Sequence, residues 1–298
     1  MVKAAFFDID GTLVSFNTHN IPESALDALR KARQQGVKLF IVTGRPKQFL
    51  YALTDVLPMF DGLVTSNGAC CYMGGKVLHS MLLPHEQVVR IVDECKQKGL
   101  PCSVIGREKI SFINDTPELR QVYNEILKID INMFRAPIEE VLEDEVFQVI
   151  PFIDASHEKA LLSELPDCMG LRWHPAFVDI TRKGTDKGQA LCKVAEIVGI
   201  GIADTMAFGD GGNDIAMLRA AGVGVAMGNA GDDVKANADY VTDSVDEDGI
   251  ANAFKKFNSP ARCCSEGCRK TCRRLGGIDA HYGDAVALII SRGDSSTR

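Results

Sequence analysis

The sequence lacks a long apolar run, and it begins without the charged-then-apolar pattern of a targeting leader. A membrane-spanning helix needs about 20 mostly apolar residues in succession, so this absence argues against a membrane span. Basic residues are in the minority, with 33 Lys and Arg against 40 Asp and Glu and a net charge of −7. No basic face is evident in the main body, which argues against nucleic acid as the main partner. We therefore predict a cytoplasmic protein.

Several motifs of common enzyme classes are also missing. There is no Gly-x-Ser-x-Gly nucleophile elbow, no His-Glu-x-x-His zinc motif and no Walker phosphate-binding loop. The ten cysteines include no Cys-x-x-Cys pair, which argues against a zinc site. Most cysteines in the main body are instead expected to be small buried apolar residues; they are Cys95, Cys102, Cys168 and Cys192.

The composition that remains is that of a soluble globular protein, 46% hydrophobic and 24% charged. A length of 298 residues is about twice that of a typical domain. The chain is therefore expected to form one large domain or two ordinary ones, with a sizeable core.

Two acids follow the first predicted strand. Residues 4–7 form a short apolar run, which is typical of a strand buried on both faces of a parallel sheet. Ligands of open α/β sheets bind at the carboxyl ends of the strands, where Asp8 and Asp10 lie. Two carboxylates this close need a cation, a shared proton or different roles. The alternative is an Asp-Gly turn at Gly11 with a chance second acid.

Strands and helices alternate along most of the chain, which favours a mainly parallel sheet. The pattern is interrupted after residue 82 by about a hundred residues whose strands look less fully buried, and it then resumes. The predicted fold is therefore a Rossmann-like three-layer α/β core of residues 1–82 and 184–258. An inserted α/β domain with an open, partly antiparallel sheet is predicted for residues 83–183. Within it we predict helices at 85–98, 117–129 and 156–165.

Polar groups collect at the predicted strand and helix ends. They are Asp8, Asp10, Thr43, Lys187, Asp210, Asn213 and Asp214. Several carboxylates without soft ligands suggest a hard cation, above all Mg²⁺. A lysine and a hydroxyl supply hydrogen-bond donors for an anion with several oxygens. Together these groups predict a site for a phosphoryl group.

Five motifs occur in a characteristic order. They are Phe-Phe-Asp-Ile-Asp-Gly-Thr-Leu at 6–13, Val-Thr-Gly-Arg at 42–45, Thr-Ser-Asn-Gly-Ala at 65–69, Asp-Lys-Gly at 186–188 and Phe-Gly-Asp-Gly-Gly-Asn-Asp at 208–214. Over about residues 1–258 the chain resembles the haloacid dehalogenase (HAD) superfamily of phosphotransferases. Within it, the chain is similar to the Cof-type sugar-phosphate phosphatases, which carry a large type IIB cap. The resemblance implies that the inserted domain is this cap.

The resemblance implies a role for each acid. Asp8 would be the nucleophile that forms an aspartyl-phosphate, and Asp10 would be the general acid and base. Mg²⁺ would be held by Asp8, the Asp10 carbonyl and Asp210, with Asp214 as a ligand directly or through water. The dehalogenases of the superfamily lack an aspartate at the position of Asp10, which argues against dehalogenation.

The phosphate-binding residues also follow from the resemblance. Thr43, Gly44 and Lys187 would hold the phosphate, and Asn213 would orient Lys187 or the phosphate. Lys183 is a rival for the motif lysine, but the sequence around Lys187 fits better.

Two roles are considered for each of three further side chains. Arg45 is expected either to reach a substrate hydroxyl or second anion, or to be a surface arginine paired with a cap acid. Trp173 and His174 are candidates for sugar contact, but core packing is the favoured interpretation for both.

The resemblance implies that the substrate is a hexose phosphate or another small sugar phosphate. The alternatives are a phosphomutase, a nucleotide phosphatase or a non-catalytic sensor of a phosphorylated metabolite. The oligomeric state is expected to be a monomer or a weak homodimer. Residues 259–298 depart from the family pattern; seven basic and four acidic residues give them a net charge of +3. They are predicted to be a poorly ordered tail.

Overall fold

The computed structural model describes residues 2–126 and 128–257. In these residues the strands are β1 (Ala4–Phe7), β2 (Lys38–Val42), β3 (Gly62–Thr65), β4 (Cys70–Met73), β5 (Lys76–Ser80), β6 (Cys102–Gly106), β7 (Ile110–Ile113), β8 (Val146–Pro151), β9 (Cys168–His174), β10 (Phe177–Arg182), β11 (Thr205–Gly209), β12 (Val223–Ala226) and β13 (Tyr240–Val241). The α-helices are α1 (Glu23–Gln34), α2 (His85–Lys98), α3 (Pro117–Gln121), α4 (Ile138–Leu142), α5 (Ala155–Ser163), α6 (Lys187–Ile197), α7 (Ile215–Ala220), α8 (Asp232–Lys235) and α9 (Gly249–Phe257). None of the helices in this described part is long and apolar enough to cross a membrane.

The larger sheet has eight strands in the order β13-β12-β11-β1-β2-β3-β4-β5. The first six are parallel, and β4 and β5 extend the sheet as an antiparallel hairpin. The first strand, β1, lies between β2 and β11, so its carboxyl end is at the centre of the sheet edge. Asp8 and Asp10 are thereby placed beside the ends of both neighbouring strands.

Both faces of the larger sheet are covered by helices. On β1, Ala5 and Phe7 pack into an apolar cluster with α1 and α9, and Ala4 and Phe6 pack into a second cluster with α6 and α7. The alternation of side chains along a strand produces this division between two faces. The result is a three-layer core, as the unbroken apolar run at residues 4–7 predicts.

The smaller sheet has five strands in the order β7-β6-β8-β10-β9. One face packs against α2, α4 and α5. The other face contributes Ile105, Ile150 and Phe177 to a cluster that includes Phe49, which belongs to a 3₁₀ segment at Lys47–Leu53 after β2. Side chains on this second face therefore lie toward the larger sheet.

The structure corrects three details of the sequence prediction. All pairings in the smaller sheet are antiparallel, not only some of them. The helix predicted over 117–129 ends as α3 at Gln121 and continues as a π-helical turn, Val122–Ile126. The buried Tyr123 accounts for part of this change, because its hydroxyl donates to Ser103 Oγ and its carbonyl accepts from the Ile129 amide. The strand β13 was not predicted, since it is only two residues long and partly exposed.

The fold-class prediction is confirmed: a mainly parallel α/β core is combined with an inserted α/β cap. The predicted tail, residues 259–298, lies outside the described residues. Among the scattered cysteines, Cys95, Cys102 and Cys168 are buried as expected, whereas Cys192 is exposed on α6.

Candidate active site

Asp8 and Lys187 form a buried ion pair at the end of β1. Lys187 Nζ donates to Asp8 Oδ1 at 2.7 Å and to Asp214 Oδ1 at 2.6 Å, and the lysine side chain is fully buried. Lys187 is the first residue of α6, whose start is capped by Asp186 through the amide of Gln189. The structure therefore brings Lys187 to Asp8, while Lys183, its rival in the sequence, is exposed.

Asp210 lies next to the turn that follows β1. Its Oδ1 accepts from Thr12 Oγ1 at 2.7 Å, and its Oδ2 accepts from Asn229 Nδ2 at 3.3 Å. Gly11 has φ +82, and a Cβ there would lie 2.1 Å from Asp210 Oδ2. Only glycine allows this backbone conformation and this close approach. Asn229 also donates to the Gly11 carbonyl at 2.9 Å and so ties the turn to the acid.

Asp214 connects the Asp8–Lys187 pair to the loop that carries Asp210. Its Oδ2 accepts from the backbone amides of Asp210 and Gly211 at 3.0 and 2.9 Å, while its Oδ1 holds Lys187. Asp214 is itself fully buried. Asp214 therefore fixes both the lysine and the loop that carries Asp210.

The acids and the lysine change each other's pKa. Burial, followed by the charge of Asp214, raises the pKa of Asp8 well above its usual range, although Lys187 opposes this. Burial and Asp214 likewise raise the pKa of Asp210 to about 6. Burial alone would lower the pKa of Lys187, but Asp214 and Asp8 outweigh it and raise that pKa. The lysine is therefore charged, and the cluster holds more negative than positive charge.

The residue set fits a hard divalent cation. Asp8, Asp210 and Asp214 each offer one carboxylate oxygen, and these oxygens lie within 4.8 Å of one another. Carboxylate oxygens are preferred ligands of Mg²⁺ and Ca²⁺. A divalent cation would also balance the negative charge of Asp214, which adds to burial in raising the pKa of Asp8 and Asp210.

Polar groups from β2 and β3 lie beside the acids. Thr43 is buried, and its Oγ1 accepts from the Arg45 amide at 3.1 Å. Asn67 has φ 56, and its Oδ1 accepts from Asn213 Nδ2 at 3.0 Å. The structure thus pairs Asn213 with Asn67, and the role of Asn213 toward Lys187 or the phosphate stays a prediction. The left-handed conformation of Asn67 turns its amide toward Gly44 and Asn213.

Arg45 is bound to Asp10. Its Nε and Nη2 donate to the two carboxylate oxygens of Asp10 at 2.8 and 2.6 Å. Such a two-pronged contact fixes the orientation of both groups. In the structure Arg45 therefore has a core acid as its ion-pair partner, not the cap acid considered above.

A cavity of about 690 Å³ joins these groups to the cap. Its core side is lined by Asp8, Asp10, Thr43, Arg45, Asn67, Asp210 and Asn213. Its cap side is lined by Tyr123, Gln148, Ile150, Phe152, Phe177 and Asp179. A volume of 300–1,000 Å³ is usual for small-molecule sites. His174 is half-buried and stacks on Phe177 with centroids 5.1 Å apart, as packing predicts, and the side chain of Trp173 lies outside the described part.

Four residues of the site were not identified individually from the sequence: Thr12, Asn67, Gln148 and Asn229. Thr12 and Asn67 lie within the motifs at 6–13 and 65–69, so the sequence indicates their positions but not their contacts. Asn229 and Gln148 stand outside every motif, and only the fold brings them to the site.

The core is Rossmann-like and discontinuous, and its acidic cluster lies at the carboxyl edge of the sheet, facing an inserted cap. This combination is typical of the capped phosphotransferases. The sequence matches the haloacid dehalogenase-like hydrolase family over residues 5–254. The chain therefore belongs to the haloacid dehalogenase-like hydrolases.

Individual relatives agree with this membership. The solved structure of a HAD subclass IIB sugar phosphatase is 44% identical, with a TM-score of 0.78, and the match covers 86% of this chain and 99% of that one. The chain is also 30% identical to the 5-amino-6-(5-phospho-D-ribitylamino)uracil phosphatase YcsE of Bacillus subtilis (86% of this chain, 96% of that protein). It is 30% identical to the pyridoxal phosphate phosphatase YbhA of Escherichia coli (82% and 94%). The prediction of a phosphoric monoester hydrolase of the HAD type is confirmed.

Proposed function

We propose that the protein is a Mg²⁺-dependent phosphatase that hydrolyses small phosphorylated metabolites through an aspartyl-phosphate on Asp8. The observation that carries this proposal is the Asp8 carboxylate, which lines the cavity and accepts from the buried Lys187 Nζ at 2.7 Å. A carboxylate can attack phosphorus only if the negative charge of the phosphate is balanced. Lys187 supplies part of that balance.

The non-bridging oxygens of the phosphoryl group would be bound by groups around Asp8. Thr43 Oγ1 and the backbone of Gly44 lie at the end of the strand next to β1, and Asn213 reaches the same place from the loop after β11. These are neutral donors at fixed positions, which is what stabilisation of a developing charge requires.

Asp10 would protonate the leaving alkoxide and then accept a proton from the attacking water. A placed acid of this kind contributes roughly 10²–10⁴-fold to the rate. The guanidinium group of Arg45 donates two hydrogen bonds to the Asp10 carboxylate, so Arg45 is a positioning residue.

Asp8, Asp210 and the Asp10 carbonyl would hold the metal, with Asp214 as a ligand directly or through water. Bound Mg²⁺ would supply charge neutralisation to the phosphoryl group. Within this arrangement Lys187, held by Asp214, keeps Asp8 oriented toward the cavity.

Sugar phosphates are the proposed substrate class, by similarity to the subclass IIB sugar phosphatase. The relatives named for a ribitylaminouracil phosphate and for pyridoxal phosphate mark other small phosphate esters to test. A phosphomutase, a nucleotide phosphatase and a sensor remain the alternatives. We further propose a cytoplasmic monomer or weak homodimer that needs no nucleic acid or membrane, with core residues 1–82 and 184–258 and cap residues 83–183.

The test is release of inorganic phosphate from a panel of sugar phosphates, nucleotides and pyridoxal phosphate, with Mg²⁺ and with EDTA. Phosphate release that requires Mg²⁺ is expected. A mutase would convert its substrate into an isomer without releasing phosphate, and a sensor would bind without turnover. Either result, or equal rates in EDTA, would contradict the proposal.

A further inference from the structure

A buried, unpartnered amide oxygen faces the cap side of the cavity. Gln148 lies on β8, at the centre of the smaller sheet, and it is 1% exposed. Its Oε1 has no hydrogen-bond partner, although the residue lines the cavity. Native proteins pair nearly all buried polar atoms, since an unpaired one destabilises the folded state. An acceptor left unpaired in a cavity is therefore a candidate contact for a ligand.

The position of Gln148 follows from the strand register. Val149 pairs with Ile180 of β10, and both side chains belong to the cluster covered by α2 and α5. Because side chains alternate along a strand, Gln148 and Ile150 point to the opposite face, where the cavity lies. A register slip would be needed to remove Gln148 from the cavity.

Two other polar side chains on the cap side, Tyr123 and Arg172, already have partners. The Tyr123 hydroxyl donates to Ser103 Oγ at 2.9 Å. Arg172 donates to Glu158 at 2.7 Å and to the Ile153 carbonyl at 2.8 Å. In contrast to these two side chains, Gln148 Oε1 accepts no hydrogen bond from the protein.

The surroundings of Gln148 define the complementary ligand. Phe152 and Phe177 line the same wall, and their rings are 5.4 Å apart. Asp179, on the neighbouring strand, also lines the cavity and is buried. The Gln148 oxygen is an acceptor beside the rings of Phe152 and Phe177, so it matches a ligand that offers a hydroxyl donor beside an apolar face. The carbon skeleton of a polyol or a sugar has this character.

We propose that Gln148 is a specificity-determining residue that accepts a hydrogen bond from a hydroxyl on the organic part of the phosphate ester. This inference rests on the proposed phosphatase function, because it assigns the cap side of that site. Gln148 selects among leaving groups, and the phosphorus chemistry stays with the core residues.

The test compares Gln148→Met with the wild-type enzyme on two substrates. Methionine keeps the length of the side chain and removes the amide. Glucose 6-phosphate carries hydroxyl donors, and p-nitrophenyl phosphate has none in its leaving group. The ratio of kcat/KM for glucose 6-phosphate to that for p-nitrophenyl phosphate should fall about tenfold in the variant. The ratio does not depend on what fraction of the variant is folded.

Thermal unfolding gives a second readout. Because Gln148→Met removes an unpaired buried oxygen, its Tm without substrate should equal or exceed that of the wild type. A residue with only a structural role would show a lower Tm and equal losses on both substrates. The matched control, Gln121→Met, changes an exposed glutamine on α3 and should leave the ratio unchanged.

An unchanged ratio, or a lower Tm with parallel losses, would overturn the assignment of Gln148 while leaving the phosphatase proposal intact. A wild-type enzyme that releases no phosphate from any ester would overturn the proposed function and this inference together. The two failures are therefore distinguished by the wild-type rates alone.

Discussion

Asp8 is the residue on which the proposed chemistry depends most. Asp8→Asn keeps the size of the side chain but replaces the attacking carboxylate, so turnover should fall by at least about 10³-fold. The measurement is phosphate release under saturating Mg²⁺, with circular dichroism to check the fold.

The matched control for Asp8→Asn is Asp27→Asn, which changes an exposed residue of α1 that pairs with Arg30. It should retain full activity. Because burial raises the pKa of Asp8, a neutral amide should not lower the Tm of the metal-free protein. An Asp8→Asn enzyme that is as fast as the wild type would show that another group attacks phosphorus.

Arg45 is predicted to act through Asp10. Arg45→Ala removes both hydrogen bonds to Asp10 and should lower kcat by about 10- to 100-fold, because the orientation of the Asp10 carboxylate is no longer fixed. Added guanidinium should restore part of kcat, and Arg45→Lys should be intermediate, since it keeps the charge without the fork. Rates that guanidinium does not improve would argue that Arg45 stabilises the fold instead.

Site residues can be identified from the sequence where they lie within short motifs. Asp8, Asp10, Thr43, Lys187 and Asp210 each follow or begin a predicted element, so a common location could be expected. Partner assignments were less predictable. The Arg45–Asp10 pair joins residues 35 positions apart, and nothing local to Arg45 indicates which acid it meets.

At the level of elements, β1 is the strand that fixes the site. Phe7 is fully buried between the two neighbouring strands and stacks on Phe208 with centroids 4.9 Å apart. Phe7→Ala should lower the free energy of unfolding by about 3–5 kcal/mol, through lost burial and the cavity left behind. Urea unfolding followed by circular dichroism measures this change.

Phe16→Ala serves as the control for stability, because Phe16 is 62% exposed. Its free energy of unfolding should stay within about 0.5 kcal/mol of the wild type. A loss at Phe7 no larger than the loss at Phe16 would mean that β1 does not hold the core together.

Predicting elements from the sequence works best where periodicity is strong and the segment is long. The helix α2 begins and ends where predicted, since its buried residues recur at helical spacing and Gly99 ends it with φ 66. The shorter α4 and α8 have four or five residues, too few to show a period. In the π-helical turn after α3, Tyr123 contacts Ser103 on the distant strand β6, a contact that no local pattern predicts.

At the scale of the whole molecule, the order of the strands could be anticipated only in part. Repeated strand–helix–strand units make β1 and β2 neighbours, and the interruption at 83–183 predicts an insertion. The pairing of β1 with β11 joins segments about 200 residues apart, and no local pattern encodes it. That pairing is nevertheless what brings Asp210 to Asp8, so the site could be anticipated only once the family resemblance supplied the topology.

The acidic cluster also makes the stability of the whole molecule depend on pH and metal. In the metal-free protein the pKa of Asp210 is about 6 and that of Asp8 is raised, both above the values expected in the unfolded chain. A carboxylate with a raised folded-state pKa destabilises the fold when it is ionised. This destabilisation is absent below about pH 4, where the carboxylates are protonated in both states, and it grows as the pH rises through about 6. Mg²⁺ should relieve it, because it binds the ionised cluster of the folded state.

The expected result is a rise in Tm of several degrees on adding millimolar Mg²⁺ at pH 7.5, and a much smaller rise at pH 5, where protons compete with the metal. For a chain of this size each kcal/mol corresponds to about 2–4 °C. Differential scanning calorimetry measures both, with NaCl at equal ionic strength as the control for screening. Asp210→Asn should lose most of the Mg²⁺-dependent rise while raising the Tm of the metal-free protein at pH 7.5. Equal shifts at both pH values, or the same shift with NaCl, would mean that Mg²⁺ does not bind at these carboxylates.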